Sequence, residues 1–332
     1  MKPPPFSYAA PATLADAVGL LAEHAEAEPR VLAGGQSLIP IPLMNFRLAK
    51  PGYLVDLRNV AELIGIRRDG DTLVIGAMTT LSAIERSAEV AVAAPLLAEA
   101  VGLVAHTPVR NRGTVGGSLA HADPAAELPA AALASGAELV AAGPDGSRRI
   151  PIAEFLRRPF STDLASDEIL TEIRVPPWQG GHAFVEFSRT HGNFAVVGVA
   201  ALVELDDGRV SRAALALTGV APTAIRATAA ERVLIGAAAD DGAAAEAARA
   251  GAEGLAPTAD LHASAQTRIG LARTYLDRHG TGPGRARRAR GDNRQPGRRA
   301  VRPDAPLRPG PGQAHLALPG PGQGAPWRSP RS

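Results

Sequence analysis

Twice in this chain an apolar, β-branched run stops at two adjacent glycines and continues into small polar residues. The first instance is RVLAGGQSLIP, residues 30–40, and the second is TVGGS, Thr114 to Ser118. Giving up side chains at Gly34 and Gly35 just where a strand ends has two physical readings. One is a tight turn that needs positive φ, which glycine adopts at little steric cost. The other is chemical: a bare backbone lets amide N–H groups approach a phosphate closely. A single glycine pair is ordinary turn chemistry. Two pairs, each flanked by hydroxyl or amide side chains, can form one anion site from two sides. A diphosphate has enough acceptor oxygens to use several amides without a lysine. Neither stretch is GxGxxG and no GxxxxGK[ST] occurs, so the dinucleotide and P-loop fingerprints do not apply.

The rest of the chain supplies elements around these motifs. Thr13 followed by Asp16 reads as a capping box opening a helix with Leu14, Ala17, Val18 and Leu21 at helical spacing. YLVDL at 53–57 and TLVIGAM at 72–78 read as strands, TTLSAIERS as a capped short helix, and PLLAEAVGLVA at 95–105 as a helix with Pro95 in its first turn. Residues 128–156 read as helix, strand, GPDG turn, strand and short helix. Beyond Arg174 the pattern changes to strand-like segments, two of them joined by Asp206-Asp207-Gly208, followed from Ala221 to His279 by alanine-rich helical sequence. This predicts an antiparallel sheet with helices on one face, in a separate domain.

Composition narrows the chemistry. With no cysteine among 332 residues, the chain holds no disulfide, thiolate zinc site or cysteine-ligated iron–sulfur cluster. Redox chemistry therefore needs an organic cofactor or a partner subunit. No apolar run is long enough to span a bilayer and the start has no apolar signal core, which predicts a cytoplasmic protein without a transmembrane segment. The net charge of +2 hides an asymmetry: residues 281–332 carry 11 Arg and 2 Asp, leaving 24 basic against 31 acidic side chains before them. The body is mildly acidic, so nucleic-acid binding is not expected. The tail is rich in Arg, Pro and Gly without apolar periodicity, and is predicted to be disordered. It also resembles out-of-frame reading of a GC-rich gene, with a frameshift near Gly280.

Taken together, AGGQSLIP, IGAMTT, VRNRGTVGGSLAHADPAAELPA and FSRTHGNFA resemble the FAD-binding medium subunit of molybdenum hydroxylases, of the aerobic carbon monoxide dehydrogenase and xanthine dehydrogenase type. The resemblance runs over roughly residues 3–278. It implies an α+β fold: a two-part FAD-binding domain over residues 1–175, with subdomains 1–57 and 58–175, then an antiparallel sheet and helical domain over 176–280. Ala33, Gly34, Gly35, Gln36 and Ser37 would line the FAD diphosphate from one side, and Thr114, Val115, Gly116, Gly117 and Ser118 from the other. Glu127 falls where the family usually has an aspartate facing the adenosine ribose, with Asp123 a second candidate. Ile169 and Leu170 would pack near the isoalloxazine or adenine. Phe194 would take the aromatic place near the flavin ring, while Asn193 replaces an acid.

The implied function is an oxidoreductase subunit that performs no chemistry on the organic substrate. Electrons would arrive singly from [2Fe–2S] clusters on a small partner, having left substrate at the molybdenum cofactor of a large one. FAD here would pass them to NAD or a quinone, in a dimer of heterotrimers. Two other classes stay open: a self-contained flavin oxidase of related fold, and a non-enzymatic nucleotide-binding assembly module. Bland readings compete at single residues. Ser118, His121 and Asp123 lie too close in sequence for a hydrolase triad, and His106, His121 and His191 fit no metal-ligand spacing. Arg110 and Arg112 read as phosphate or partner contacts or as an exposed face, Phe194 on the bland view as core, and Asp16, Glu23, Glu26 and Glu28 as a solvated helix face.

Overall fold

A computed structural model describes residues 5–38 and 51–279. The expected tail and the proposed frameshift near Gly280 lie outside the described residues. The chain opens with a small parallel sheet of β1 (Ser7–Ala9), β2 (Arg30–Leu32) and β3 (Tyr53–Asp56), in the order β1-β3-β2. Helix α1 (Leu14–Glu23) starts as its sequence dictates. The Thr13 hydroxyl accepts from the Asp16 amide and donates to the Asp16 carboxylate. The helix buries Ala17, Val18 and Leu21 against Val55 and Leu57.

A five-stranded antiparallel sheet follows. Its strands are β4 (Ile66–Asp69), β5 (Thr72–Gly76), β6 (Glu138–Gly143), β7 (Gly146–Pro151) and, after the small hairpin β8 (Leu156–Arg158) and β9 (Ser161–Thr162), β10 (Ile169–Val175). The order is β4-β5-β10-β6-β7. Between β5 and β6 run α2 (Leu81–Arg86), α3 (Ala88–Ala93), α4 (Pro95–Leu103), α5 (Thr107–Arg110), α6 (Val115–His121) and α7 (Glu127–Ser135). Inward positions of the strands, Leu73, Ile75, Leu139, Ala141 and Ile173, share one core with Leu96, Leu97, Val101, Leu119 and Leu128 of these helices. After β7, the short helix α8 (Ile152–Phe155) plugs Ile152 and Phe155 into the same core.

The last module is the antiparallel sheet β11 (Gly181–Phe187), β12 (Val197–Asp206), β13 (Arg209–Thr218) and β14 (Ile225–Arg226), with helices α9 (Thr228–Leu234), α10 (Asp241–Ala252) and α11 (Ala265–His279). Asp207 and Gly208 form the β12–β13 turn, both with positive φ (46° and 76°), as the Asp-Gly pair predicts. The helices cover one face, as expected: Val199, Ala201, Leu215 and Leu217 pack with Leu234, Ala248 and Leu276. The opposite face is closed from the other side. Phe184, Ala200, Leu202 and Ala216 belong to the same core as Leu97, Leu128 and Leu133. One continuous core therefore joins α4 and α7 to this sheet.

The buried Arg268 of α11 fastens the module. Its Nη1 donates to the carbonyls of Val196 and Gly219, and its Nη2 to Asp260 Oδ2 at 2.7 Å. No helix among the described residues is long and apolar enough to cross a membrane.

Candidate cofactor site

The two glycine motifs fold to the same place. A β-carbon on Gly34 would stand 2.1 Å from the Arg112 carbonyl oxygen and 2.8 Å from the Gly113 Cα. One on Gly117 would stand 3.4 Å from the Ala33 Cβ. The Gln36 side chain folds back, its Nε2 donating to the Gly34 carbonyl at 3.1 Å, with its Cγ beside Gly113. The first motif is the turn its sequence predicts, with Gly35 at φ 71°.

The second motif differs from expectation: it is the first turn of a helix. Thr114 is the N-cap of α6, and an isolated bridge joins it to Thr80 of the IGAMTT stretch. The amides expected to face a ligand already have acceptors. Val115 donates to the Thr79 carbonyl at 3.1 Å and Gly116 to the Ala77 carbonyl at 2.9 Å. Gly117 donates to Thr114 Oγ1 at 3.1 Å and Ser118 to the Thr114 carbonyl at 3.0 Å. Gly116 is bare because a β-carbon there would come 2.5 Å from the Ala77 Cβ. The glycines of TVGGS thus serve close packing of α6 on Ala77, just past β5, and on the first motif. Among the described residues, the amides of Gly35, Gln36 and Ser37 donate to no protein acceptor, and the hydroxyls of Ser37 and Ser118 have no partner. These donors are what the junction has left for an anion.

Downstream of α6, Asp123 Oδ1 accepts from the Ala125 amide at 2.8 Å, turning the chain into α7. Glu127 opens that helix and is only 4% exposed. Burial pushes its carboxyl up to about 7, and the negative Asp123 adds to the shift against the helix's own amide. His121 sits 4.0 Å from Asp123 and its ring centroid 5.1 Å from that of Phe160, with burial holding its basicity below the usual value.

The remaining expected residues are spread around this junction. Ile169 and Leu170 are both buried but in different cores: Ile169 joins Val55 and Met78, whereas Leu170 joins Ile75 and Leu139. Successive strand residues face opposite sides, so they cannot line one surface together. Phe194 is 62% exposed, which removes the reading of it as core. Its loop is tied down by Asn193, whose Nδ2 donates to Thr190 Oγ1 at 2.6 Å. Gly192, at φ 82°, lies against the His106 ring, where a β-carbon would come 2.4 Å from Cε1. This contact brings the Phe194 loop to the segment that leads into α5 and the second motif.

Arg110 overturns the exposed-face reading. It is buried, with Nε and Nη2 on Glu85 at 2.9 and 3.1 Å and Nη1 on the carbonyls of Val104 and Ala105, each at 3.0 Å. Arg112 is exposed, and it is its carbonyl that meets Gly34. Asp16, Glu23, Glu26 and Glu28 are exposed as expected.

Two polar residues near the site escaped sequence reading. Thr218 is fully buried, its hydroxyl 2.7 Å from the Pro124 carbonyl and 3.0 Å from that of Ala126. Glu186 lies on β11 with its Oε2 buried and without a partner among the described residues. The alternation HAFVEF held a signal: it puts Glu186 on the inward side with Phe184.

The chain is similar to known proteins over most of its length. Residues 4–178 match the family described as the FAD binding domain in molybdopterin dehydrogenase, and residues 182–279 the CO dehydrogenase flavoprotein C-terminal domain. The chain is 42% identical over 281 residues to subunit alpha of the 6-hydroxypseudooxynicotine dehydrogenase complex of Paenarthrobacter nicotinovorans, covering 84% of this chain and 94% of that protein. It is 39% identical to the carbon monoxide dehydrogenase medium chain of Hydrogenophaga pseudoflava, covering 84% of this chain and 96% of that one. Among solved structures, the carbon monoxide dehydrogenase of Hydrogenophaga pseudoflava superposes with a TM-score of 0.82 at 40% identity, covering 86% of this chain and 99% of that chain. Quinoline 2-oxidoreductase from Pseudomonas putida 86 gives 0.81 at 38% identity, covering 86% of this chain and 100% of that chain.

Proposed function

This chain belongs to the family of FAD-binding medium subunits of molybdenum hydroxylases, and from that premise we propose that it is the electron-transfer subunit of such a complex. It takes electrons from [2Fe–2S] clusters on a small partner and passes them to an external acceptor, NAD or a quinone. The molybdenum cofactor and the substrate site lie on a large partner, and the complex is a cytoplasmic dimer of heterotrimers. The absence of cysteine supports placing the clusters on another chain.

The observation that carries this reading is the contact of the two glycine motifs, with Gly34 against Arg112 and Gly117 against Ala33. The residues at that junction fit a dinucleotide. No lysine is among the residues expected to line it, so its uncommitted donors are neutral main-chain amides and hydroxyls, which suit a diphosphate. The amides of Gly35, Gln36 and Ser37 and the hydroxyls of Ser37 and Ser118 would hold the diphosphate. Gly34, Gly116 and Gly117, with Ala33, Thr114 and Val115, keep the two segments close enough for one ligand to touch both. Asp123 and Glu127 would meet the sugar, Phe194 would cover the ring, and Ile169 and Leu170 would stiffen the wall from behind. When bound, FAD supplies the one- and two-electron chemistry that no side chain here offers. The protein's part is to bind and orient it and to limit the access of water.

The test is the assembled complex. Purified with its partners, it should carry stoichiometric flavin that bleaches on addition of the partner's organic substrate and recovers with the acceptor. A complete complex that passes electrons to the acceptor while holding no flavin would overturn the assignment.

A further inference from the structure

β12 begins at Val197 and β13 ends at Thr218, so Val196 and Gly219 stand just beyond the paired end of these two strands. They are pressed together. Gly219 has φ 78°, and a β-carbon on it would stand 2.2 Å from the Val196 carbonyl oxygen. Arg268 Nη1, with two N–H groups, donates to both carbonyls, at 2.9 Å in the case of Gly219. Its Nη2 is held by Asp260 Oδ2 at 2.7 Å.

Two paths lead from this corner to the candidate cofactor site. On one, the Val196 amide donates to the Phe187 carbonyl at 2.7 Å and closes the loop that carries Asn193 and Phe194. On the other, the Gly219 amide donates to the Pro124 carbonyl at 2.9 Å. The Thr218 hydroxyl lies 2.7 Å from that same carbonyl and 3.0 Å from that of Ala126. Pro124 and Ala126 belong to the short segment between Asp123 and Glu127. One guanidinium therefore ties the Phe194 loop to the segment that carries both acids.

Docking of α11 does not need this arrangement. Ala272 and Leu276 of the same helix already sit in the core against the sheet. Arg268 is 6% exposed, its Nε is buried without an acceptor among the described residues, and its carboxylate partner Asp260 is exposed. A buried guanidinium with an unmet donor is a poor device for stability alone. What it achieves is geometric, since its planar fork fixes two carbonyls from different strands against each other.

We propose that Arg268 is a positioning residue for the cofactor: by fixing Val196 against Gly219 it sets the Phe194 loop and the Asp123–Glu127 segment at the spacing that FAD bridges. This rests on the reading that FAD lies with its sugar at Asp123 and Glu127 and its ring at Phe194. α11 supplies none of the residues expected at the cofactor, yet it is linked to cofactor binding through this corner. The linkage is reciprocal: bound FAD steadies α11 by as much as docked α11 favours FAD.

The experiment measures FAD affinity of the assembled complex by fluorescence of released flavin, together with the visible spectrum of the flavin that stays bound. Arg268→Met should weaken FAD by about tenfold, a usual size for coupling between sites, and shift the spectrum. Arg268→Lys keeps the charge without the fork and should fall between Met and native. Thr218→Val removes the other end of the link. Combined with Arg268→Lys, it should cost less affinity than the product of the two single losses, because both act on one corner. Leu276→Ala is the control for packing: it should lower the melting temperature and leave FAD affinity at the native value.

An Arg268→Met complex of native affinity and spectrum, a double variant whose losses multiply, or a Leu276→Ala complex that loses as much flavin as Arg268→Lys would each overturn the proposal. If Arg268→Met does not fold, hydrogen exchange in the native complex decides. Loading with FAD should slow exchange of the Gly219 amide and of the first turns of α11; protection confined to residues 33–37, 114–127 and the Phe194 loop would refute the link. If no flavin binds to the complete complex, the FAD reading itself has failed. Positioning is then judged by exchange of the Ala125 and Ala126 amides, which should quicken in Arg268→Lys; unchanged rates would refute it.

Discussion

Gly34 lies so close to Arg112 that a β-carbon on residue 34 would stand 2.1 Å from the Arg112 carbonyl oxygen. The obstruction is main chain, so no rotamer change relieves it. Gly34 has no positive φ, whereas its neighbour Gly35 does, at 71°. The two glycines therefore do different work. Gly34 permits contact between the motifs, and Gly35 permits the turn in which its own amide and the next two have no acceptor among the described residues.

Gly34→Ala must push the two motifs apart. The cost should be about 1–3 kcal/mol, typical of overpacking, together with a lower flavin content of the purified complex. Gly35→Ala should cost about 1–2 kcal/mol through the left-handed backbone alone. Denaturant midpoints and the flavin-to-protein ratio check both. A flavin-replete Gly34→Ala complex of native stability would mean that the motifs do not meet.

Phe194 is 62% exposed, so Phe194→Ala should leave stability within about 0.5 kcal/mol of the native value. If the ring covers the flavin, the same change should still alter the visible spectrum of the bound cofactor and the rate of its reoxidation. An unchanged spectrum and rate would remove Phe194 from the site.

Arg110 holds Glu85 with a two-pronged grip and ties down the carbonyls of Val104 and Ala105, the latter in a left-handed backbone at φ 45°. Arg110→Met should cost about 2–3 kcal/mol, less than a fully buried pair because Glu85 reaches solvent. Arg110→Lys should restore only part of this, since an ammonium cannot reproduce the planar fork. Urea unfolding of the three proteins gives the ranking; a fully restored lysine variant would contradict it.

Acid should loosen α11. Burial pushes the Asp260 carboxyl up, but the amides of Ala263 and His262 and the Arg268 guanidinium together bring it down to about 2. A carboxyl lowered on folding contributes stability above its ordinary value, and that contribution is lost as pH falls from near 4 towards about 2. Asp260→Asn should melt lower than the native chain at neutral pH and lose less on acidification. Melting curves that shift equally in both proteins would sink this account.

Sequence reading found what local chemistry fixes. Thr13 and Thr80 cap helices because their hydroxyls reach amides three residues on, and Asp207-Gly208 turns a hairpin because both residues tolerate positive φ; Thr114 caps α6 in the same way, which the sequence reading missed. The glycine pairs were visible for the same reason. What each glycine is for was not, because the obstruction at Gly34 comes from Arg112 and that at Gly116 from Ala77, both remote in sequence. For the same reason the amides of TVGGS looked available, although the carbonyls of Ala77 and Thr79 take two of them. Arg110 looked like surface because its carboxylate partner sits on another helix. Glu186 was legible in principle from strand alternation, but an acid on an inward face is read against the grain of composition.

The clamp made by Arg268 has a consequence for how this chain is made. The cover that α9 and α10 begin over Val199, Ala201, Leu215 and Leu217 is completed only when Leu276 and Ala272 of α11 arrive, and Val196 and Gly219 wait for the Arg268 guanidinium. A ribosome delivers those strands well before that helix. During the interval the nascent chain displays an oily sheet face to its surroundings, a natural handhold for chaperones.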